Sequence, residues 1–173
     1  MTRPVDYAET FLECLRTAIH ASPYDIPDEK ICMRFGEVVN PTLGTGEDEC
    51  CTGLAWVRVA GITPIRADPD NTEYGLCATG ARRLTLEIGT ARCVPVGTMA
   101  AGPTCDQWTE AALKMDSDQA CIERALCCLG EQQDSLRGTE AMAPGEYIPG
   151  GPDGNCITGA MTVTIDYSCG CGS

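Results

Sequence analysis

Aromatic side chains are scarce in this 173-residue chain, at 5% of its residues. A core built from it must therefore be mostly aliphatic. Lysine is scarcer still: only Lys30 and Lys114 accompany ten arginines among the 12 cations. Histidine occurs once, at His20, next to a proline-containing turn. One imidazole in that place reads as a helix-terminal or solvent-facing residue rather than the base of a Cys or Ser nucleophile. Long apolar runs are missing as well. No stretch of about 18 apolar residues occurs, so no membrane-spanning helix is expected. The N-terminal MTRPVDYAETFLECL carries Asp6 and Glu9 and lacks a small-residue cleavage site, so it does not read as a secretory signal. The expectation is a chain made and left in a cytoplasm, with its thiols reduced.

Acid is plentiful. Asp and Glu total 25 against 12 Lys and Arg, a formal charge of −13. Such a surface repels phosphate backbones, which excludes nucleic-acid binding by charge but suits a surface that DNA passes without sticking. Cysteine is plentiful too, at 13 residues, and the odd number leaves at least one thiol free or bonded to another chain. Zinc knuckles place two thiolates on one ion through a short spacer. Here the pairs are vicinal (Cys50-Cys51, Cys127-Cys128) or one residue apart (Cys169, Cys171). Neighbours on a helix point about 100° apart, so Cys127 and Cys128 chelate poorly. Scattered reduced core thiols are the expectation. Were any to oxidise, Cys169 and Cys171 on the Gly-rich tail and Cys50-Cys51 in a polar loop would be the easiest.

Other constellations fall short. Glu47, Asp48 and Glu49, like Asp68 and Asp70, sit in polar loops and read as solvated charge. Asp68-Pro69-Asp70-Asn71 only weakly matches the alternating acids and downstream Glu of a calcium loop. Gly44-Thr45-Gly46 and the 150–154 segment lack the Lys and the strand-to-helix setting of a phosphate cradle. Trp56 and Trp108 fit core packing. No catalytic, cofactor-binding or metal-ligating residue is assigned, no cofactor is expected, and the leading reading is a structural, self-assembling protein rather than an enzyme.

The pattern of elements is clearer. Tyr7, Phe11, Cys14, Leu15 and Ala18 recur at helical spacing, so 4–20 reads as an amphipathic helix. Residues 31–39 and 54–65 read as strands. The segments 40–53 and 66–80 read as polar loops. Leu84, Leu86 and Ile88 alternate with Thr85, Glu87 and Gly89, the period of a strand with one buried face. This strand, 81–94, is expected at the centre of the sheet. Thr104 is a plausible N-cap for a long helix over 104–129, with Trp108, Ala112, Met115, Ile122, Ala125, Leu126 and Leu129 on its inner face. Gln119 interrupts that stripe and suggests a bend or a wet contact; Gly130 suits the helix end. Residues 130–155 read mostly as loop, with a short strand at 146–148. Met161, Val163, Ile165 and Tyr167 mark a last strand over 157–168. The expected fold is a single α+β domain over 1–173: a mostly antiparallel sheet of about four strands, with an N-terminal helix and a long helix packed on one face.

That order of motifs resembles a family of small neck proteins from tailed phages of actinobacteria, assigned as tail terminators or head-to-tail connectors. The residues that carry the resemblance are the first helix with Cys14, Trp56-Val57-Arg58-Val59, the LTLEIGTARCVPVG run at 84–97, and the Pro103-Thr104 helix start. Arg124-Ala125-Leu126-Cys127-Cys128, the 147–159 run from Tyr147 to Gly159, and the closing MTVTIDYS strand also match. Residues 22–50 and 130–145 fit least. The resemblance implies a homo-oligomeric ring, hexameric by expectation, that caps the tail tube and joins it to the neck in the virion. Its implied partners are copies of itself, the tail tube protein and the head-tail connector proteins. DNA would pass through the lumen without sequence-specific binding, and no membrane is involved. A head-completion or stopper protein bound to the portal is the alternative within the same particle. A cysteine-rich metal-binding module is the alternative of another class, separable by metal analysis of the purified protein.

Overall fold

The computed structural model describes residues 3–36, 51–65, 81–97, 101–132 and 139–168, and all structural statements refer to these. Helix α1 spans Pro4–His20 and α2 spans Cys105–Glu131. The strands are β1 (Ile31–Phe35), β2 (Leu54–Pro64), β3 (Ala81–Cys93), β4 (Thr139–Asp153) and β5 (Cys156–Ser168). They form one sheet in the order β1-β2-β3-β5-β4. The β1–β2 pairing is parallel and the others are antiparallel. The fold is α+β as expected, with five strands instead of four.

The strand expected at the centre is there. β3 lies between β2 and β5, and Leu84, Leu86 and Ile88 stand opposite Ile165, Val163 and Met161. These side chains, with Ala55, Val57 and Val59 of β2, form one buried cluster with both helices. α1 contributes Tyr7, Phe11, Cys14, Leu15 and Ala18, the stripe read from its spacing, and Ile19 besides. Pro4 sits at its first turn, where a missing N–H costs nothing. The Asp6 carboxylate accepts from the Arg3 backbone N–H at 2.6 Å and from its guanidinium at 2.8 Å. At the start of α2, Gln107 N–H donates to Thr104 Oγ1 at 3.3 Å, and Thr104 N–H donates to Gln107 Oε1 at 2.8 Å. That reciprocal pair is a capping box on the expected N-cap.

The largest correction is β4. The segment read as mostly loop is a 15-residue edge strand. Its pairing with β5 slips between Thr139 and Ala141, Pro144 and Tyr147, and Gly150 and Asp153. These irregularities and the edge position accommodate the prolines. A Cβ on Gly145 would meet Thr162 Oγ1 at 2.7 Å, and one on Gly150 would collide with Thr158 Oγ1. The glycines that looked like loop signals are what let β4 lie against β5. A two-residue turn, Gly154-Asn155, joins the strands, with Gly154 at φ 59°.

Smaller differences follow the same logic. β1 ends at Phe35, and 37–39 lie outside the described residues, as do 40–50, 66–80, Cys169 and Cys171. Gly130 stays inside α2, whose C-cap is Gln132. Gln119 does not interrupt α2; it donates to Glu123 Oε1 at 3.0 Å along the helix. Of the stripe expected on α2, Ile122, Ala125 and Leu129 are buried, and Ala111, Asp118 and Cys121 are buried beside it. Trp108, expected in the core, is 42% exposed.

Candidate functional site

Beyond Ile88, the helix-facing side of β3 turns polar. Thr90 and Arg92 continue the inward parity of Leu84–Ile88 and are buried. Arg92 meets Asp118, a fully buried carboxylate on α2. Its Nε donates to Asp118 Oδ2 at 2.8 Å and its Nη2 to Oδ1 at 2.6 Å. Nη2 also donates to the Tyr24 carbonyl at 2.7 Å. One guanidinium thus ties β3, α2 and the turn after α1 together. Two charges this deep are tolerable only because each is paired and further hydrogen-bonded. The sequence offered no signal for Asp118 except its place beside the Gln119 gap.

Tyr147 of β4 lies on the same side of the sheet. Its ring covers Gly159 so closely that a Cβ there would collide with the hydroxyl. Burial pushes the Tyr147 pKa up to about 12, with the Asp118 charge adding to the rise. Among the described residues, neither the Tyr147 nor the Thr90 hydroxyl has a hydrogen-bond partner. A phenol held that high stays neutral at ordinary pH and offers no base.

Two recesses flank this cluster. One, of about 630 Å³, is lined by Tyr24, Cys51, Arg92, Cys93, Gln107 and Lys114, among others. The second, of about 510 Å³, runs between α2 and β4–β5, with Trp108, Met115, Tyr147, Pro149 and Ile157 on its walls.

The opposite sheet face carries a smaller cluster of Leu54, Trp56, Ala91 and Cys156. Trp56 lies over Gly89, where any Cβ would strike the indole. Its Nε1 donates to Glu87 Oε1 at 3.1 Å, and Arg58 Nε donates to the same oxygen at 3.0 Å. Arg58 Nη2 also pairs with Glu87 Oε2. Burial pushes the Glu87 carboxyl up, but these donors outweigh it and hold the pKa below the usual value. The polar side chains on this face are partly locked into internal pairs, including Arg83 with Asp166 at 2.7 Å.

His20 ends α1, as its sequence position suggested. Its Nδ1 lies 2.7 Å from Asp25 Oδ1 and its Nε2 lies 3.0 Å from Asp28 Oδ1. Hydrogen bonds to Asp28 and then Asp25 raise its pKa above 6.5.

The thiols depart furthest from expectation. Cys14 and Cys128 form a disulfide between α1 and α2, and Cys51 and Cys93 form another. Cys156 is disulfide-bonded as well. A reduced core was inferred from compartment, whereas spatial proximity decides pairing, and Cα–Cα distances of 5.8 and 4.4 Å suit it. Cys127 and Cys128 part ways: Cys128 is bonded to Cys14, and Cys127 is exposed and free. Cys32, Cys105 and Cys121 are also free, and burial pushes the Cys121 thiol up. Among the described residues no three His, Cys, Asp or Glu side chains gather as a metal site, and no helix is long and apolar enough to cross a membrane. Glu47, Asp48, Glu49, Asp68 and Asp70 lie outside the described residues.

No protein-family model and no curated protein matches this chain. Internal ion pairs and disulfides tie its elements together.

Proposed function

We propose that the chain is a structural protein of a tailed-phage virion, a tail terminator that assembles into a ring, caps the tail tube and joins it to the head-tail connector. A non-enzymatic, self-assembling role is part of that proposal. The observation that carries it is that both edges of the described sheet carry exposed apolar side chains, while Ile62, Val96, Trp108 and Leu113 are exposed elsewhere. Met33 and Phe35 lie on β1, with Phe35 77% exposed, and Ile148 lies on β4, 64% exposed. Among the described residues, β1 and β4 are the two edges of the sheet. A closed ring of identical copies needs two different surfaces on each copy that meet head to tail, and opposite edges supply such a pair.

Charge supports the same reading. Arg3, Arg16, Arg58, Arg83, Arg92 and Lys114 are each paired with an acid of the same chain. With so many cations engaged, the −13 balance falls on the surface as excess carboxylate. A lumen lined that way lets DNA slide by repulsion.

The experiment is imaging of the particle with this chain labelled, next to light scattering of the purified protein. The expected result is label between the tube and the neck, and a protein that is monomeric or weakly associated until it meets the tube. Label on the portal would favour a head-completion protein instead. A tight dimer at low concentration would overturn the ring.

A further inference from the structure

We propose that Cys51–Cys93 is a thiol–disulfide exchange site, a latch that opens under mild reductant while the Cys14–Cys128 bond stays closed. The proposal stands independently of the neck-ring reading.

The two bonds sit in different surroundings. Cys51 is exposed and Cys93 is half-buried at the end of β3. Both line the 630 Å³ recess, wide enough to admit a small dithiol. Cys14 is 3% exposed, packed in the main core. Cys128 is half-buried, like Cys93, and the Gln132 side chain lies against the bond, with Nε2 at 3.8 Å from Cys14 Sγ and 3.5 Å from Cys128 Sγ. The contrast lies between the buried Cys14 and the exposed Cys51. Exchange requires in-line access of a thiolate to a sulfur, so exposure separates the two bonds by rate.

The latch is also coupled to the fold. Residues 51–53 turn into β2, which starts at Leu54. Gly53 takes φ 92°, and a Cβ there would meet Arg92 Nη1 and Ile26 Cγ1, each at 2.7 Å. The turn therefore rests against the guanidinium that holds Asp118. With the bond open, the contacts with Arg92 and Ile26 and the first ladder bonds of β2 remain to hold it among the described residues.

The chemistry balances with a dithiol as reductant. One of its thiolates attacks the exposed Cys51 sulfur, the Cys51–Cys93 bond breaks, and Cys93 leaves as a thiolate and takes a proton. The second thiolate of the reductant attacks the mixed disulfide, closes its own ring, and releases Cys51. Two electrons pass to the chain. A small-molecule disulfide such as oxidised glutathione runs the sequence backwards.

The test is a dithiothreitol titration of the full chain, purified without reductant and quenched after one fixed short exposure at each concentration, so that it reads rate. Free thiols are alkylated with a light reagent. The protein is then denatured, fully reduced and alkylated with a heavy one. Mass spectrometry reads each cysteine separately, including Cys156, which stands opposite Cys93 across the strands. Cys51 and Cys93 are expected to take the light label at about ten-fold less dithiothreitol than Cys14 and Cys128. Amide exchange at Leu54 and Ala55 should quicken over the same range. Opening of Cys14–Cys128 at the same or a lower concentration overturns the proposal. So does light label on Cys51 and Cys93 with no reductant added.

Discussion

Arg92 and Asp118 join pieces of chain that no local pattern connects. Taking away one partner leaves a charge with no water and no counter-ion, which costs about 3–5 kcal/mol. Asp118→Ala is expected to lose that much in a urea denaturation. The double change Arg92→Met with Asp118→Leu should recover most of it, because an apolar pair of similar volume needs no compensation. A single variant within about 1 kcal/mol of the parent would mean that the pair is solvated in solution. His20 makes a different prediction. Its folded pKa is raised, so its hydrogen bonds to Asp28 and Asp25 contribute fully below the unfolded value of 6.5 and fade as pH rises through the folded value. Asp28 is held low, so its share persists down to acid pH and is lost only below the ordinary carboxylate range. As the one histidine, His20 is read without ambiguity in a proton NMR titration. Its midpoint should lie above 6.5 and fall on Asp28→Asn.

Among the elements, the helices and the inner strands were legible because each carries its period in a short window. The α1 stripe and the alternation of β3 and β5 survive unchanged. β4 was hidden because its glycines and prolines are loop signals unless a neighbour is known. The readable clue was Gly154-Asn155, a favoured two-residue hairpin turn between Asp153 and Cys156. The two helices are tied by a bond of sequence separation 114, Cys14–Cys128. Closing so long a loop restricts the unfolded chain, and a bond of this kind is worth roughly 2–5 kcal/mol. Cys14→Ala with Cys128→Ala is therefore expected to lower stability by about that amount in chemical denaturation under oxidising conditions. The same substitutions should change little in a fully reduced sample, which separates the bond from the packing of the two side chains.

At the level of the whole molecule, composition decided the broad class. A mostly aliphatic core, an acid excess and two amphipathic helices with alternating strands require an α+β layer, because each apolar face must cover another. Tertiary structure decided the rest. Fold geometry chose which thiols meet, which carboxylate follows Arg92 into the interior, and which apolar side chains remain on the sheet edges. Those are contacts between residues 26 to 114 positions apart. Periodicity speaks only of the next turn or the next pleat, so it places a side chain inward or outward but cannot name its partner.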